Sequence, residues 1–199
     1  MKNPKSLIPD LKELGLLMLG FLPWILFLFT SGDSMHSLKI AIVISLVASV
    51  TLGFGDLKRG FILQWGTLIF FVLCIIMVDL LNNLWLASKM DLLSNLAISS
   101  IMWISVLIGK PFALQYAQMS VPKDHWSDKK FIRGCRFITI VWACLMTFAV
   151  LISILKRIHW LPFSQGFYFD LTILNIMGGL TYNTIFKRKK RLQRELAKT

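Results

Sequence analysis

The fold is decided by residues 61–81, which read FILQWGTLIFFVLCIIMVDLL. This run holds a single charged residue, Asp79, close to its end. The hydrocarbon core of a bilayer is about 30 Å thick, and an α-helix rises about 1.5 Å per residue, so about 20 apolar residues cross it. The run is apolar around its whole circumference rather than along one stripe. It therefore predicts a helix that spans a membrane.

Five further runs of the same kind lie on either side of it. The turn at residues 55–60 is so short that the runs it joins should be antiparallel neighbours. We expect an all-α, polytopic integral membrane protein with six transmembrane helices in one bundle, forming one domain over residues 1–199. The predicted spans are residues 14–30, 38–55, 61–81, 92–109, 137–155 and 167–186, with a loop at 110–136 and a basic tail at 187–199.

The composition excludes two other classes of protein. Of the 199 residues, 56% are hydrophobic and 16% are charged, and the mean hydropathy is +0.67. Soluble domains carry about 25% charged residues, and a chain of this size could not hide six apolar segments from water. The three cysteines, Cys74, Cys135 and Cys144, form no CxxC pair, which argues against a secreted disulfide scaffold.

The first apolar run shares one feature with a signal peptide, because Lys2, Lys5 and Lys12 precede it. However, Pro23-Trp24 interrupts the run, and no clear small-x-small cleavage site follows it. We therefore expect this run to be retained as a transmembrane helix.

Lysines and arginines are divided unevenly between the two sides of the predicted bundle. With six spans, 18 of the 22 fall on the side of the two termini and of the loop 110–136. The positive-inside rule then places both termini and this loop in the cytoplasm. The acidic residues divide six and four, so the whole net charge of +12 lies on the cytoplasmic face. The four cations on the opposite side are Lys39, Lys89, Lys156 and Arg157.

This basic face favours anionic lipid headgroups as a partner rather than nucleic acid, because each cation at such a surface contributes about 1 kcal/mol. The run that begins with Lys187 and Arg188 directly follows the last predicted span. It is either a stop-transfer anchor or a specific patch for lipid or protein.

The loop 110–136 is the one extramembrane segment large enough to hold a site. Residues 111–119 open with proline and repeat apolar side chains at helical spacing, which predicts a short helix lying in the membrane interface. The loop is either a connector or a docking surface. Its candidate contacts with partners or lipid are Lys110, Tyr116, Trp126, Arg133 and Arg136.

Polar groups at membrane depth are the other candidates for function. Asp79 lies about one turn from the end of its predicted span, where its role is either interfacial or that of a proton or cation site. Gln64 and Asn175 should make interhelical hydrogen bonds, and Lys39 can extend its amine outward. A transport path, if there is one, would pass Asp79, Asp170 and Asn175.

We find no sequence signal for catalysis, a cofactor or a metal. His36, His125 and His159 all fall in predicted loops, so no pair lies at matched depth to hold a haem. Serine, threonine and cysteine occur in no recognisable nucleophile motif, and no glycine loop is built to hold phosphate. We expect no enzymatic activity.

Scattered features follow one another in a recognisable order over residues 21–190, among them the tight basic turn after the second run and the approach to a span bearing Val141-Trp142. The others are Phe21-Leu22-Pro23, Lys110-Pro111 and Trp160-Leu161-Pro162. In this order of segments the chain resembles the bacterial intracellular septation protein A family of inner-membrane proteins. The resemblance implies a role in cell-envelope maintenance, cell division or elongation through contacts with other membrane proteins. We expect other membrane proteins or further copies of the chain as partners. The alternative from a different class is a small ion or solute channel or carrier.

Overall fold

The computed structural model describes residues 8–32, 34–119, 123 and 126–158, and the isolated positions 172, 176, 177, 179 and 183. Over the described residues every regular element is helical, which confirms the all-α fold. The helices are α1 (Ile8–Thr30), α2 (Met35–Thr51), α3 (Phe54–Lys58), α4 (Ile62–Cys74), α5 (Leu84–Ala87), α6 (Met90–Leu107), α7 (Phe112–Gln118) and α8 (Lys129–Arg157). A π-helical stretch over Ile75–Leu80 continues α4 directly.

Among the described residues, three helices are long and apolar enough to cross a membrane, and the chain is accordingly a membrane protein by class. They are Ile62–Leu80, Met90–Leu107 and Lys129–Arg157. Leu17–Thr30 within α1 and the whole of α2 are shorter apolar helices. The sixth predicted span lies outside the described residues except for the isolated positions above, and the tail lies wholly outside them.

The long helices pack as successive antiparallel neighbours. α2 packs on α1 and on α4, α6 packs on α4, and α8 packs along α6. The contact between α2 and α4 confirms that the second and third predicted spans are neighbours. We call the end of the bundle with α3, α7 and the start of α8 the α7 end. The end with the α1–α2 turn, α5 and the last turn of α8 is the α5 end.

Polar hydrogen bonds join the helices inside the bundle. The Gln64 side-chain amide on α4 donates to the backbone carbonyl of Ser49 on α2 at 2.7 Å, as predicted for Gln64. The indole N–H of Trp24 on α1 donates to the Thr67 hydroxyl of α4 at 2.8 Å. Both bonds are buried, so they satisfy polar groups that have no access to water.

The last described long helix, α8, begins earlier than predicted, at Lys129 rather than at residue 137. The Asp128 carboxylate accepts a hydrogen bond from the Lys130 backbone N–H at 2.9 Å and caps the helix there. The prediction followed the hydrophobic boundary, but a capped helix does not need to end where the bilayer ends. With 29 residues α8 is about 43 Å long, which exceeds the hydrocarbon thickness of about 30 Å.

Candidate functional sites at the two ends of the bundle

The helix α7 is packed into the bundle. Phe112 is buried, and its ring centroid lies 5.7 Å from that of Phe21 on α1 and 5.5 Å from that of Trp142 on α8. The prediction of a short helix in this loop is confirmed, and the prediction that it lies in the membrane interface stays a prediction. An apolar face at helical spacing suits a protein core as well as a headgroup layer, and here aromatic side chains of α1 and α8 cover it.

Two hydroxyl groups satisfy the first backbone N–H groups of α7, which have no partner within the helix. The Phe112 N–H donates to the Ser105 hydroxyl of α6 at 3.2 Å. The Ala113 N–H donates to the Thr139 hydroxyl of α8 at 3.4 Å. Polar and apolar contacts together fix α7 to the long helices.

Tyr116 is a core residue of the α7 end and not a surface contact. We expected it to touch a partner or lipid, but its side chain is only 1% exposed. Its ring packs edge-on against Phe61 with centroids 5.0 Å apart. Its hydroxyl lies against Gly20 of α1, where a Cβ would overlap it. The sequence around Tyr116 does not indicate which face of its helix packs against the rest of the protein.

The surface around α7 is strongly basic. Lys110, Arg133 and Arg136, which we predicted as contacts, are exposed there, and Trp126 is half-buried. Asp56 and Asp128 are the acidic residues described on the same segments. The described cations of this surface are Lys58, Arg59, Lys110, Lys123, Lys129, Lys130, Arg133 and Arg136.

Asp56, in α3, lies partly buried at the edge of this surface. Burial raises the pKa of its carboxyl group, while the Tyr116 hydroxyl and the Arg59 guanidinium act in the opposite direction. Arg59 Nη1 lies 3.9 Å from Asp56 Oδ1 and donates to Met119 Sδ at 3.3 Å. Arg59 thus connects the α2–α4 turn to the end of α7.

At the α5 end, Asp79 lies in the π-helical stretch. The Lys39 amine of α2 donates to the Asp79 backbone carbonyl at 3.3 Å and to the Asn82 side-chain oxygen. Lys39 therefore joins α2 to the end of the third predicted span instead of extending freely. The Asp79 carboxylate oxygen Oδ2 is buried and accepts no hydrogen bond from any residue in the described part of the chain.

Four other predicted site residues cannot be placed beside these. Asp170 and Asn175 of the alternative transport path, and Lys187 and Arg188 of the basic tail, lie outside the described residues. Their assignments stay predictions.

Also at the α5 end, a cavity of about 820 Å³ is lined by residues of α1, α2, α5, α6 and α8 and by Met177. Ligand cavities in proteins range from about 300 to 1,000 Å³. Most of the lining is apolar, and its polar side chains lie towards the helix ends, among apolar ones such as Met35 and Leu84. Apolar lining residues include Phe21, Trp24, Ile98, Trp142 and Met146. Polar ones include Ser31, Asp91, Ser94, Asn95, Ser153, Lys156 and Arg157.

Charged groups converge on the polar part of this cavity. Lys156 Nζ of α8 lies 3.0 Å from Asp91 Oδ2 of α6, and the Lys156 side chain is only 6% exposed. Arg157 Nη2 donates to the Ser88 carbonyl at 2.9 Å. From the sequence we predicted no role for Lys156 and Arg157 beyond their place among the four cations of the sparsely charged side. The sequence does contain a signal for the pair, because Asp91 and Lys156 flank adjacent predicted spans at the same end of the bundle.

The described residues contain no group of three or more His, Cys, Asp or Glu side chains that could hold a metal ion. No family model, curated protein or solved structure matches the chain.

Proposed function

We propose that the chain is a non-catalytic, multi-pass protein of the bacterial inner membrane. It serves envelope maintenance or cell division through contacts with membrane partners and with anionic lipid on the cytoplasmic face. The observation that supports this proposal is the docking of α7, which holds the surrounding cations on an ordered surface. The resemblance to the septation protein A family points in the same direction.

Cations on an ordered surface bind a partner at a lower entropic cost than cations on a mobile loop. A lysine or arginine near an anionic membrane contributes about 1 kcal/mol, but a mobile loop loses backbone entropy when it binds. Arg133 and Arg136 lie on α8, and Lys110 lies between α6 and α7. Their backbone is already ordered, so lipid or partner binding costs less than it would on a free loop.

The lipid contact is tested by counting retained lipids by native mass spectrometry after release from vesicles of equal phosphatidylglycerol and phosphatidylethanolamine content. We expect the wild type to retain phosphatidylglycerol preferentially and Arg133→Gln/Arg136→Gln to lose at least half of that preference. The matched control is Lys39→Gln/Lys89→Gln, which removes the same charge at the α5 end. Equal retention by the wild type and the α7-end variant would refute the lipid contact.

The cellular role is tested by complementation in a bacterial strain that lacks its own copy. Arg133→Glu/Arg136→Glu should fail to restore normal cell length and envelope integrity, whereas Lys89→Glu should restore both. Membrane levels of each variant are measured in parallel. Full rescue by the α7-end variant at normal levels would contradict the proposed role of this surface.

A second candidate function is that of a small ion or solute channel or carrier. The observation in its favour is that no described residue donates a hydrogen bond to the buried Asp79 oxygen, because ionisable groups at membrane depth are costly to bury and often mark functional sites. Ion and proton flux into liposomes is the test, with wild type beside Asp79→Asn and with Asp56→Asn as the control. If the wild type carries a flux that Asp79→Asn abolishes and Asp56→Asn does not, transport would replace the first proposal as the function of the chain. If liposomes that contain the wild-type protein show no flux, ion transport would be excluded.

A further inference from the structure

We infer that the cavity at the α5 end binds one anionic amphiphile, with its hydrocarbon chain among the aromatic side chains and its phosphate or carboxylate head at Lys156 and Arg157. This ligand site goes beyond the proposed function and does not depend on it, because the basic α7 surface lies at the other end of the bundle.

The length of the cavity suits a lipid chain. Trp142 and Lys156 both line it and are 14 residues apart on α8, which corresponds to about 21 Å of helix. One leaflet contributes about half of a 30 Å hydrocarbon core, or about 15 Å. An acyl chain of about 15 Å whose head is held at Lys156 would therefore reach the level of Met146, which also lines the cavity, and end about 6 Å from the level of Trp142.

The apolar part of the cavity has fixed walls. The rings of Phe21 and Trp142 lie with centroids 5.0 Å apart. Trp24 is held by its hydrogen bond to Thr67 and by stacking on Phe70 at 5.0 Å. Walls that are ordered before binding reduce the entropy lost by the protein when the ligand enters. An apolar space of this kind attracts hydrocarbon and not a small hydrated anion.

The polar part of the cavity selects a negative head. Asp91 pairs with Lys156 in this part of the cavity, and the exposed Arg157 brings a further positive charge. Lys156 is desolvated and oriented by its contact with Asp91. A guanidinium carries five N–H donors, and the bond from Arg157 to the Ser88 carbonyl uses one of them. Charge-assisted bonds from such groups to phosphate or carboxylate oxygens are strong.

Neutral hydrogen-bonding groups complete the region around the head. Asn95 of α6 donates to the Ser153 hydroxyl of α8 at 3.0 Å, and both residues line the cavity. Ser31 and Ser94 add hydroxyl groups to the lining at the same end. Such groups suit ester or glycerol oxygens next to a charged head.

The binding test uses the full chain in a non-ionic detergent and native mass spectrometry. The probes are oleoyl lysophosphatidate, oleate, uncharged monooleoylglycerol and inorganic phosphate. We expect one-to-one adducts with the two anionic amphiphiles, at least tenfold weaker binding of monooleoylglycerol and no adduct with phosphate. The ratio between the two anionic probes distinguishes a phosphate head from a carboxylate head. Equal binding of the uncharged probe, or binding of phosphate alone, would overturn the inference.

Variants then locate the bound molecule. Arg157→Gln should weaken the binding of anionic amphiphiles about tenfold and leave the binding of monooleoylglycerol unchanged. Arg136→Gln at the α7 end should change the binding of neither. Ser94→Trp, which places an indole in the cavity, should weaken the binding of every amphiphile. Equal losses for Arg157→Gln and Arg136→Gln, or full binding by a folded Ser94→Trp, would overturn the inference.

Fluorescence gives a readout that does not depend on the folding of Ser94→Trp. One equivalent of dibromostearate should quench tryptophan emission in the wild type. Trp142→Phe should lose part of that quenching, whereas Trp65→Phe, which removes an exposed indole outside the cavity, should lose none. Undiminished quenching in Trp142→Phe would place the chain elsewhere and overturn the inference.

Discussion

Gly20 allows α1 and α7 to approach closely at a single position. A Cβ there would lie 2.7 Å from Tyr116 Cζ and overlap its hydroxyl. We expect Gly20→Ala to cost about 1–3 kcal/mol of overpacking, offset by up to about 1 kcal/mol of helix propensity. Gly15→Ala is the control, because no atom lies within 4 Å of a Cβ there. Thermal unfolding in detergent should show a lower midpoint for Gly20→Ala alone, and equal midpoints would contradict this packing.

The protonation of Asp56, again a single residue, predicts how the stability of the protein depends on pH. Because burial raises its pKa, the folded chain keeps this proton to a higher pH than the unfolded chain does. The contribution of Asp56 to stability is therefore largest below the usual Asp pKa of about 4 and is lost as pH rises through the raised value. Asp56→Asn should reduce the fall in unfolding midpoint between pH 4 and pH 8. The same pH slope in both proteins would contradict the assignment.

Among the elements, α1 and α4 are joined by the bond between Trp24 and Thr67. Interhelical hydrogen bonds in membrane proteins contribute about 0.6 kcal/mol on average and up to about 1.7 kcal/mol. A double-mutant cycle of Trp24→Phe and Thr67→Val should give a coupling energy in this range, measured from unfolding in mixed micelles. Trp85→Phe combined with Thr67→Val should be additive, because Trp85 lies in α5, beyond the far end of the helix that carries Thr67. A coupling energy near zero for the first pair would mean that the bond adds no stability.

At the scale of elements, hydropathy predicts some boundaries well and others poorly. The run at 61–81 matches Ile62–Leu80, and the run at 92–109 matches Met90–Leu107 within two residues. These helices begin and end near the limits of their apolar sequence. The start of α8 depends instead on the Asp128 cap, which is a property of one side chain and not of hydrophobicity.

In the candidate sites, too, some features follow from the sequence and others do not. Exposure of Lys110, Arg133 and Arg136 follows from their charge, and the hydrogen bond of Gln64 follows from its depth. Burial of Tyr116 depends on which helices surround α7. The cavity depends on how α1 is placed relative to α6 and α8. Hydropathy describes each helix separately, so it carries no information on either arrangement.

For the whole molecule, orientation is open to a direct measurement. In a variant without Cys74, Cys135 and Cys144, single cysteines replace Ser88 at the α5 end or Lys129 at the α7 end, both of which are exposed. A membrane-impermeant maleimide should label Ser88→Cys in intact cells and Lys129→Cys only after permeabilisation. The reverse pattern would invert the orientation, and labelling of both in intact cells would contradict the crossing of the membrane between them.

The length of α8 has a consequence for where the protein can reside. Arg136 and Lys156 are 20 residues apart on this helix, or about 30 Å, which equals the thickness of an average hydrocarbon core. Because Lys156 is paired with Asp91 on α6, α8 cannot shift along the membrane normal without moving α6 as well. A thicker bilayer would draw one of the two cations into hydrocarbon, and a thinner one would expose an apolar turn to water. We therefore expect α8 to fit best in bilayers near this thickness, with helix tilt and extension of the two side chains absorbing small differences.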